Sequence, residues 1–371
     1  IEFANNNYKL AGKYLKHAYD IKKTKFVFTT DYMTESQRLA YWQSNNSLFD
    51  RDIPQFVYRT YTNNSSVTSF AYDNELFHKG LLLSSSNSIR HSILNSGDSS
   101  LIHQWNELTE IKQIIFTLEA KHESENNYLT YIQQADSLEK QLTISSSLYR
   151  KNKEKWQITW DSIRNHLSPN EVAIEYFAAP LSIDSIMYCA LLLRDNYRYP
   201  EIIPLFEEKE ITAFLSAECG NITNKTYDFY ANGDTISQLI WNRILPHLKE
   251  GETIYFAPSG LLHQLAIEYL PFDETHTMAD VYNMVRLSST REIVLNKPNT
   301  EHTTATIYGG IQYHLDADNL LVESEKYPKI GLQATRSIEN DTLNRGYVQY
   351  LPGTKKEAEK INALLQQNNI S

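Results

Sequence analysis

Glu171-Val172-Ala173-Ile174-Glu175-Tyr176-Phe177 and, after a short break, Ile186-Met187-Tyr188-Cys189-Ala190-Leu191-Leu192-Leu193 mark the point where the chain stops reading as helix and begins to read as sheet. Both are short runs of β-branched, aromatic and aliphatic residues with turn residues on either side, which is the pattern of strands. The second is apolar almost throughout, so it is expected to be covered on both faces, as in a sheet with helices above and below. A helix over 235–249 follows, carrying Ile236, Leu239, Ile240, Ile244 and Leu248, with Asp234 as its cap. Further strands are expected at 253–257, 281–287 and 305–308. A last helix is expected after Leu351-Pro352-Gly353-Thr354, with Thr354 capping it and Glu357 completing a capping box.

Upstream of this alternation, to residue 165, the pattern is helix after helix. Leu101, Ile102, Trp105, Leu108, Ile111, Ile115 and Leu118 recur every three or four residues and paint one apolar stripe. A second stripe runs through Leu129, Ile132, Leu138 and Leu142. A third runs through Trp156, Trp160, Ile163 and Leu167 before Ser168-Pro169-Asn170 stops it. Thr34-Glu35-Ser36-Gln37 has the spacing of a capping box, and helices over 1–20 and 35–48 are expected to pack as a pair. The spaced small and aromatic residues of a tetratricopeptide solenoid are only weakly present, so the segment reads as the irregular end of a helical array whose regular repeats lie upstream. Between Tyr313 and Gly346 the sequence is polar and weakly patterned, which predicts a flexible surface insertion over about 314–346.

With 371 residues the chain exceeds the roughly 200 residues at which single cores begin to split, so two domains are expected, over 1–165 and 166–371. The fold class is multidomain α plus α/β. A 41% hydrophobic and 12% aromatic content supplies real cores, and the net charge of −10 opposes nucleic acid and anionic membranes as partners, since both need clustered Lys and Arg. No stretch reaches the roughly 20 apolar residues of a bilayer span. The start, Ile1-Glu2-Phe3-Ala4-Asn5, has neither an initiator Met nor a signal pattern, so the native start is expected upstream. Two cysteines in a chain this long point to a reducing compartment and, by default, the cytoplasm.

Cys189 sits mid-strand, where cysteine acts as a small core residue, and Cys219 has no base near it in sequence. His263, in Leu261-Leu262-His263-Gln264-Leu265, follows a strand and a turn, but a lone His among leucines is more often a hydrogen-bonded core or turn residue. Pro258-Ser259-Gly260 lacks the flanking glycines of a nucleophile elbow and reads as a tight turn. Gly309-Gly310 permits a close backbone approach but is not followed by the Lys and Ser or Thr of a phosphate loop. His122, Glu123 and Glu125 form no metal pattern. No catalytic, cofactor or metal residue is therefore assigned. The 25 tyrosines read as packing residues with a polar tip, an aromatic recognition surface being the alternative.

Taken in order, several stretches resemble the CHAT proteins of Bacteroides-like bacteria, caspase-like peptidases commonly preceded by tetratricopeptide repeats. The helical part supplies Met33-Thr34-Glu35-Ser36-Gln37-Arg38-Leu39-Ala40-Tyr41-Trp42 and residues 71–83. The sheet part supplies 172–177, 188–194, 254–263 (Ile-Tyr-Phe-Ala-Pro-Ser-Gly-Leu-Leu-His), 308–313 and 351–357. The resemblance implies a degenerate helical repeat region followed by the first part of a caspase-like α/β domain, and a protein partner or protein substrate. In that family the catalytic His stands in a His-Gly pair, and the nucleophilic Cys follows a further strand. Here no His precedes a Gly and no Cys follows Cys219, so the dyad carries over to no residue and would lie after Ser371. The expectation is the N-terminal portion of a cysteine endopeptidase, itself inactive. The alternatives are a non-catalytic protein-binding scaffold and, more weakly, a hydrolase using Cys219 and His263.

Overall fold

The computed structural model describes residues 7–30, 32–62, 66–121, 128–146, 154–215, 233–295, 305–310 and 352–367. Thr34 and Gln37 form the capping box their spacing predicts. The Gln37 N–H donates to Thr34 Oγ1 at 3.4 Å and the Thr34 N–H donates to Gln37 Oε1 at 3.1 Å, so helix α2 (Glu35–Asn45) starts there. Before it, α1 (Tyr8–Thr30) runs ten residues past the expected end at residue 20, because buried Tyr19, Phe26 and Thr30 continue its inner face with no breaker between them. A single π-helical turn, Leu48–Asp52, leads into α3 (Ile53–Thr60). Then come α4 (Ser66–His78), α5 (Leu81–Leu94), α6 (Ser99–Lys121) and α7 (Tyr128–Ser146). The third helix expected near 156–167 is split into a 3-10 turn, Glu154–Gln157, and a short α8 (Trp160–Arg164), restarted by the Thr159–Ser162 capping box.

The strands at the change of pattern are β1 (Glu171–Ser182) and β2 (Ser185–Leu193), joined as an antiparallel hairpin with Ile174 opposite Leu192. The hairpin continues into β3 (Glu201–Glu207), which the sequence reading did not mark. Pro204 interrupts its pattern, and proline is tolerated there because β3 lies at the edge of the sheet. Helix α9 (Glu208–Leu215) and α10 (Gly233–Ile240) follow. The helix expected over 235–249 ends after its first two turns. Pro246 has no N–H to continue the ladder, and residues 241–248 tighten into turns and a 3-10 segment at Leu245–His247. Next come β4 (Thr253–Ala257), a short α11 (Met278–Val281) and β5 (Asn283–Arg286). The order is β3-β2-β1-β4-β5, with β4 parallel to β1 and β5 parallel to β4.

Sidedness along β1 sets the layers. Ala173, Phe177 and Ala179, with Cys189, Leu191 and Leu193 of β2, pack against Phe49, Ile53, Phe77 and Leu81 of the helical part. Val172, Ile174 and Tyr176 turn the other way, towards Ile236, Ile240, Trp241 and Phe256. The second strand is covered on both faces, as its apolar run required: Tyr188 to Leu193 are all buried. Full burial of one such aliphatic or aromatic side chain stabilises by ~1.5–3 kcal/mol. A third cluster, Ile89, Ile93, Leu101, Leu108, Ala135 and Leu142, joins α5, α6 and α7.

Residues Ile1–Glu119 and Ser124–Asn296 make one compact unit, and Ala120–Glu123 with Lys297–Ser371 make a second. The boundary expected at residue 165 falls inside the first unit, where one apolar cluster contains both helical and sheet residues. In the second unit, the strand expected at 305–308 is absent: described residues 305–310 form no ladder. The last helix, α12 (Pro352–Gln367), begins two residues before Thr354, with proline in the first turn where its missing N–H is not needed. Thr354 Oγ1 accepts from the Gly310 N–H at 3.0 Å. Gly309 lies so close to the helix that a Cβ on it would meet Thr354 O at 2.5 Å, the close backbone approach that Gly309-Gly310 permits. The surface insertion expected at about 314–346 lies outside the described residues, as does Cys219. No helix among the described residues is long and apolar enough to cross a membrane.

Candidate functional site

The carboxyl ends of parallel strands are where open α/β sheets place their ligands and catalytic groups. At that end β1 carries Glu175, a carboxylate on the same face as Ala173 and Phe177, fully buried against the helical layer. It lies in register with Ala257, the last residue of β4. Helix α4 ends at His78 and delivers Lys79 to this point; Gly80, at φ 62°, then turns the chain into α5. Beyond β5, Ser289 caps a 3-10 turn, Thr290–Ile293, that closes over the same spot.

These four segments meet through one ion pair. Lys79 Nζ donates to Glu175 Oε2 at 2.6 Å, to the Tyr176 carbonyl at 2.6 Å and to the Ala257 carbonyl at 3.0 Å. The other carboxylate oxygen, Glu175 Oε1, accepts from the Thr290 N–H at 2.6 Å, from Thr290 Oγ1 at 2.8 Å and from Ser289 Oγ at 3.1 Å. Tyr72 OH lies 2.9 Å from Thr290 Oγ1. Arg291 donates to the carbonyls of Leu76 and Lys79, and its guanidinium sits 5.3 Å over the Trp156 ring. Burial lowers the Arg291 pKa, while the charges of Glu175 and Glu292 oppose that shift.

On the helical side, His78 stands between Glu75 (3.1 Å) and Asp50 (3.4 Å). Burial alone would lower the His78 pKa, but the Glu75 carboxylate and then Asp50 outweigh it and hold the imidazole above its usual value. Burial likewise opposes ionisation of Glu75, and the charges of His78 and Lys79, with hydrogen bonds from His78 and Asn74, bring its pKa below the usual glutamate value.

All three N–H bonds of the Lys79 ammonium are committed, and both oxygens of Glu175 are occupied. The ammonium has no uncommitted proton, and the fully buried carboxylate is out of a substrate's reach. The network therefore acts as an anchor, pinning α4 to the ends of β1 and β4 and to the loop after β5. The sequence reading missed Lys79, Glu175, Ser289, Thr290 and Arg291. The available signal was Glu175 itself, a charged residue inside an otherwise apolar run, which demands a buried partner.

The residues singled out from the sequence do not converge. Cys189 is buried in β2 opposite Pro204, and burial pushes its thiol far above the range in which a thiolate forms. Ser259 and His263 bracket the turn after β4, yet neither side chain hydrogen-bonds to another described residue. His263 is exposed; partial desolvation, then the cations of Lys79 and Arg286, lower its pKa. The turn is fixed from below. Tyr188 OH accepts from the Leu261 N–H at 2.9 Å and donates to Glu208 Oε2 at 2.9 Å. Gly260, at φ 54°, lies so close above that hydroxyl that a Cβ would approach it to 2.2 Å. His122, Glu123 and Glu125 lie outside the described residues, and no group of three potential metal ligands occurs among those described. Tyr19, Tyr72, Tyr176 and Tyr188 are buried, whereas Tyr14, Tyr32, Tyr269 and Tyr308 are exposed. No known protein-family model matches the sequence, and no curated protein shows significant similarity to it.

Proposed function

We propose that this chain forms the non-catalytic part of a caspase-like cysteine endopeptidase of the CHAT type, with degenerate tetratricopeptide-like helices against the sheet, and that the reactive thiol and imidazole come from sequence outside it. The observation that carries the reading is the run of parallel strands β1, β4 and β5, with β5 unpaired on its outer side among the described residues. Further parallel strands added there would bring their carboxyl ends beside the anchored Lys79–Glu175 end of the sheet, where a nucleophile and base need to be held still. The resemblance in the ordered segments supports the same reading. A protein-binding scaffold is the second reading, favoured by Cys189 being deep in the core and by Ser259 and His263 being unconnected.

The test is to assay the chain as it stands, and then extended with the coding sequence downstream of Ser371, against fluorogenic casein with and without iodoacetamide. The expected result is no cleavage by the first and thiol-dependent cleavage by the second. Cleavage by the chain itself, or none by an extended chain that contains a downstream His-Gly and Cys, overturns the peptidase reading. A stop codon directly after Ser371 leaves the scaffold.

A further inference from the structure

Helix α1 is apolar on two opposite sides. Tyr19, Phe26 and Thr30 are buried and make its inner face. Tyr14, Ile21 and Phe28 recur at heptad spacing and, at about 100° per residue, lie on the far side of the helix from Tyr19 and Phe26. They are 62%, 55% and 64% exposed. Tyr32, 51% exposed, extends the row and meets Phe28 edge to face at 5.8 Å. The row covers about 21 Å from Tyr14 to Phe28. It drifts by about 20° per heptad, which is the path a second helix follows when the two coil together left-handedly.

Exposed apolar residues scattered singly need no explanation, but a contiguous row of them marks an interaction surface. With about 150–250 Å² per aromatic side chain, the exposed parts of Tyr14, Phe28 and Tyr32 come to roughly 250–450 Å² before Ile21 is added. Stable association of two globular partners takes about 800 Å² from each. The row is too narrow for that and matches the seam of one helix laid along another. The charges beside it specify the occupant. Lysines stand on both sides of the row: Lys13 on one, Lys22 and Lys25 on the other. Helix α1 carries six lysines against one aspartate, in a chain whose net charge is −10. In a dimer formed through this face, α1 would lie against α1 with lysine facing lysine, and the net charge opposes an anionic membrane. An acidic helix is the complement.

We propose that the outer face of α1 docks an amphipathic helix of another protein, its apolar seam on Tyr14, Ile21 and Phe28 and its flanks acidic. This surface belongs to the helical part alone and is independent of the peptidase reading.

The probe is a synthetic peptide of three heptads with leucine at the a and d seam and glutamate at e and g, whose glutamates repel one another and disfavour self-pairing. Its twin has lysine at e and g. Each is labelled with fluorescein and titrated with the full chain, binding being read by anisotropy. The acidic peptide is expected to bind saturably with Kd below about 100 µM, and the basic twin at least about tenfold more weakly. The double substitution Ile21→Glu/Phe28→Glu should weaken the acidic peptide at least about tenfold. The same change at Leu83 on α5 and Ile183 in the β1–β2 turn, 63% and 96% exposed, should leave it unaltered. Circular dichroism of both variants verifies that they are folded. Absence of saturable binding, equal affinity for the two peptides, or equal loss in the two double variants overturns the assignment. So does a homodimer in sedimentation velocity, or binding to phosphatidylserine vesicles, that Ile21→Glu/Phe28→Glu abolishes, since either gives this face a different occupant.

Discussion

Replacing Lys79 with methionine isolates the anchor at the carboxyl end of the sheet. The side chain keeps its length and apolar stem, but Glu175 Oε2 and the carbonyls of Tyr176 and Ala257 each lose a donor at 2.6, 2.6 and 3.0 Å. Glu175 is fully buried, so water cannot replace the cation. Removing one partner of a buried ion pair costs about 3–5 kcal/mol, most of it the uncompensated charge left behind. With a denaturant dependence near ~3 kcal/mol/M in urea, that lowers the unfolding midpoint by roughly 1–1.7 M, read by tryptophan fluorescence on the intact chain. The companion change Glu175→Gln should also destabilise. In the double variant the two losses should fall short of their sum by at least about 1.5 kcal/mol, because the second substitution removes the stranded charge created by the first. A loss below ~1 kcal/mol for Lys79→Met, or strict additivity in the cycle, would refute the anchor as a buried charge lock.

Four further outcomes follow from particular contacts. Gly260→Ala should destabilise by about 1–3 kcal/mol in thermal unfolding, since the backbone is left-handed there and the new methyl strikes the Tyr188 hydroxyl; Tyr188→Phe in the same chain should recover part of the loss. Asp73, raised to about 6 by burial against the opposing Trp160 N–H, binds protons more readily folded than unfolded, so its contribution falls as pH rises from about 4 to 6. Asp73→Asn should abolish that component, at most about 3 kcal/mol, in urea titrations at pH 4.5 and 7. Glu252 takes Arg194 in a two-pronged pair, both contacts 2.7 Å. Burial opposes its charge, but the Arg194 and Lys249 donors hold its pKa below the usual glutamate value. Stability from it is present above the unfolded pKa and lost as acid carries the pH through the folded one, and Glu252→Gln should cost about 1.5–3 kcal/mol near neutrality. Finally, a Cys219→Ser chain should show no thiol reactive with an aromatic disulfide reagent while folded and one after unfolding, because Cys189 is buried in β2.

The architecture was legible wherever local pattern and tertiary demand agree. The alternating and fully apolar runs at 171–177 and 186–193 became β1 and β2, and the Thr34–Gln37 box starts α2 where its spacing puts it. Strand β3 was hidden by Pro204, which only its edge position permits, and the helix through Pro246 was overextended because apolar spacing continued beyond the residue that breaks the ladder. The anchor was illegible for a different reason. Lys79, Glu175 and Thr290 are separated by 96 and 115 residues, and no local periodicity reports which charge in one segment answers a charge in another. Only the improbable Glu175, inside a buried strand, announced that an answer existed.

The shared core has a consequence for how this protein can vary. Phe49, Ile53 and Phe77 on one side and Phe177, Leu191 and Leu193 on the other occupy a single apolar cluster, and the lysine that neutralises the sheet's buried carboxylate is supplied by the helical part. Each segment therefore depends on the other for its core and for its charge balance. A recombination junction at residue 165 would join a sheet carrying a buried glutamate to helices with no reason to offer it a lysine, so viable chimaeras should keep residues 49–81 and 171–193 from the same parent. Substitutions that accumulate on either side of that junction should be tolerated in matched sets, and the helical part cannot be exchanged like a bead on a string.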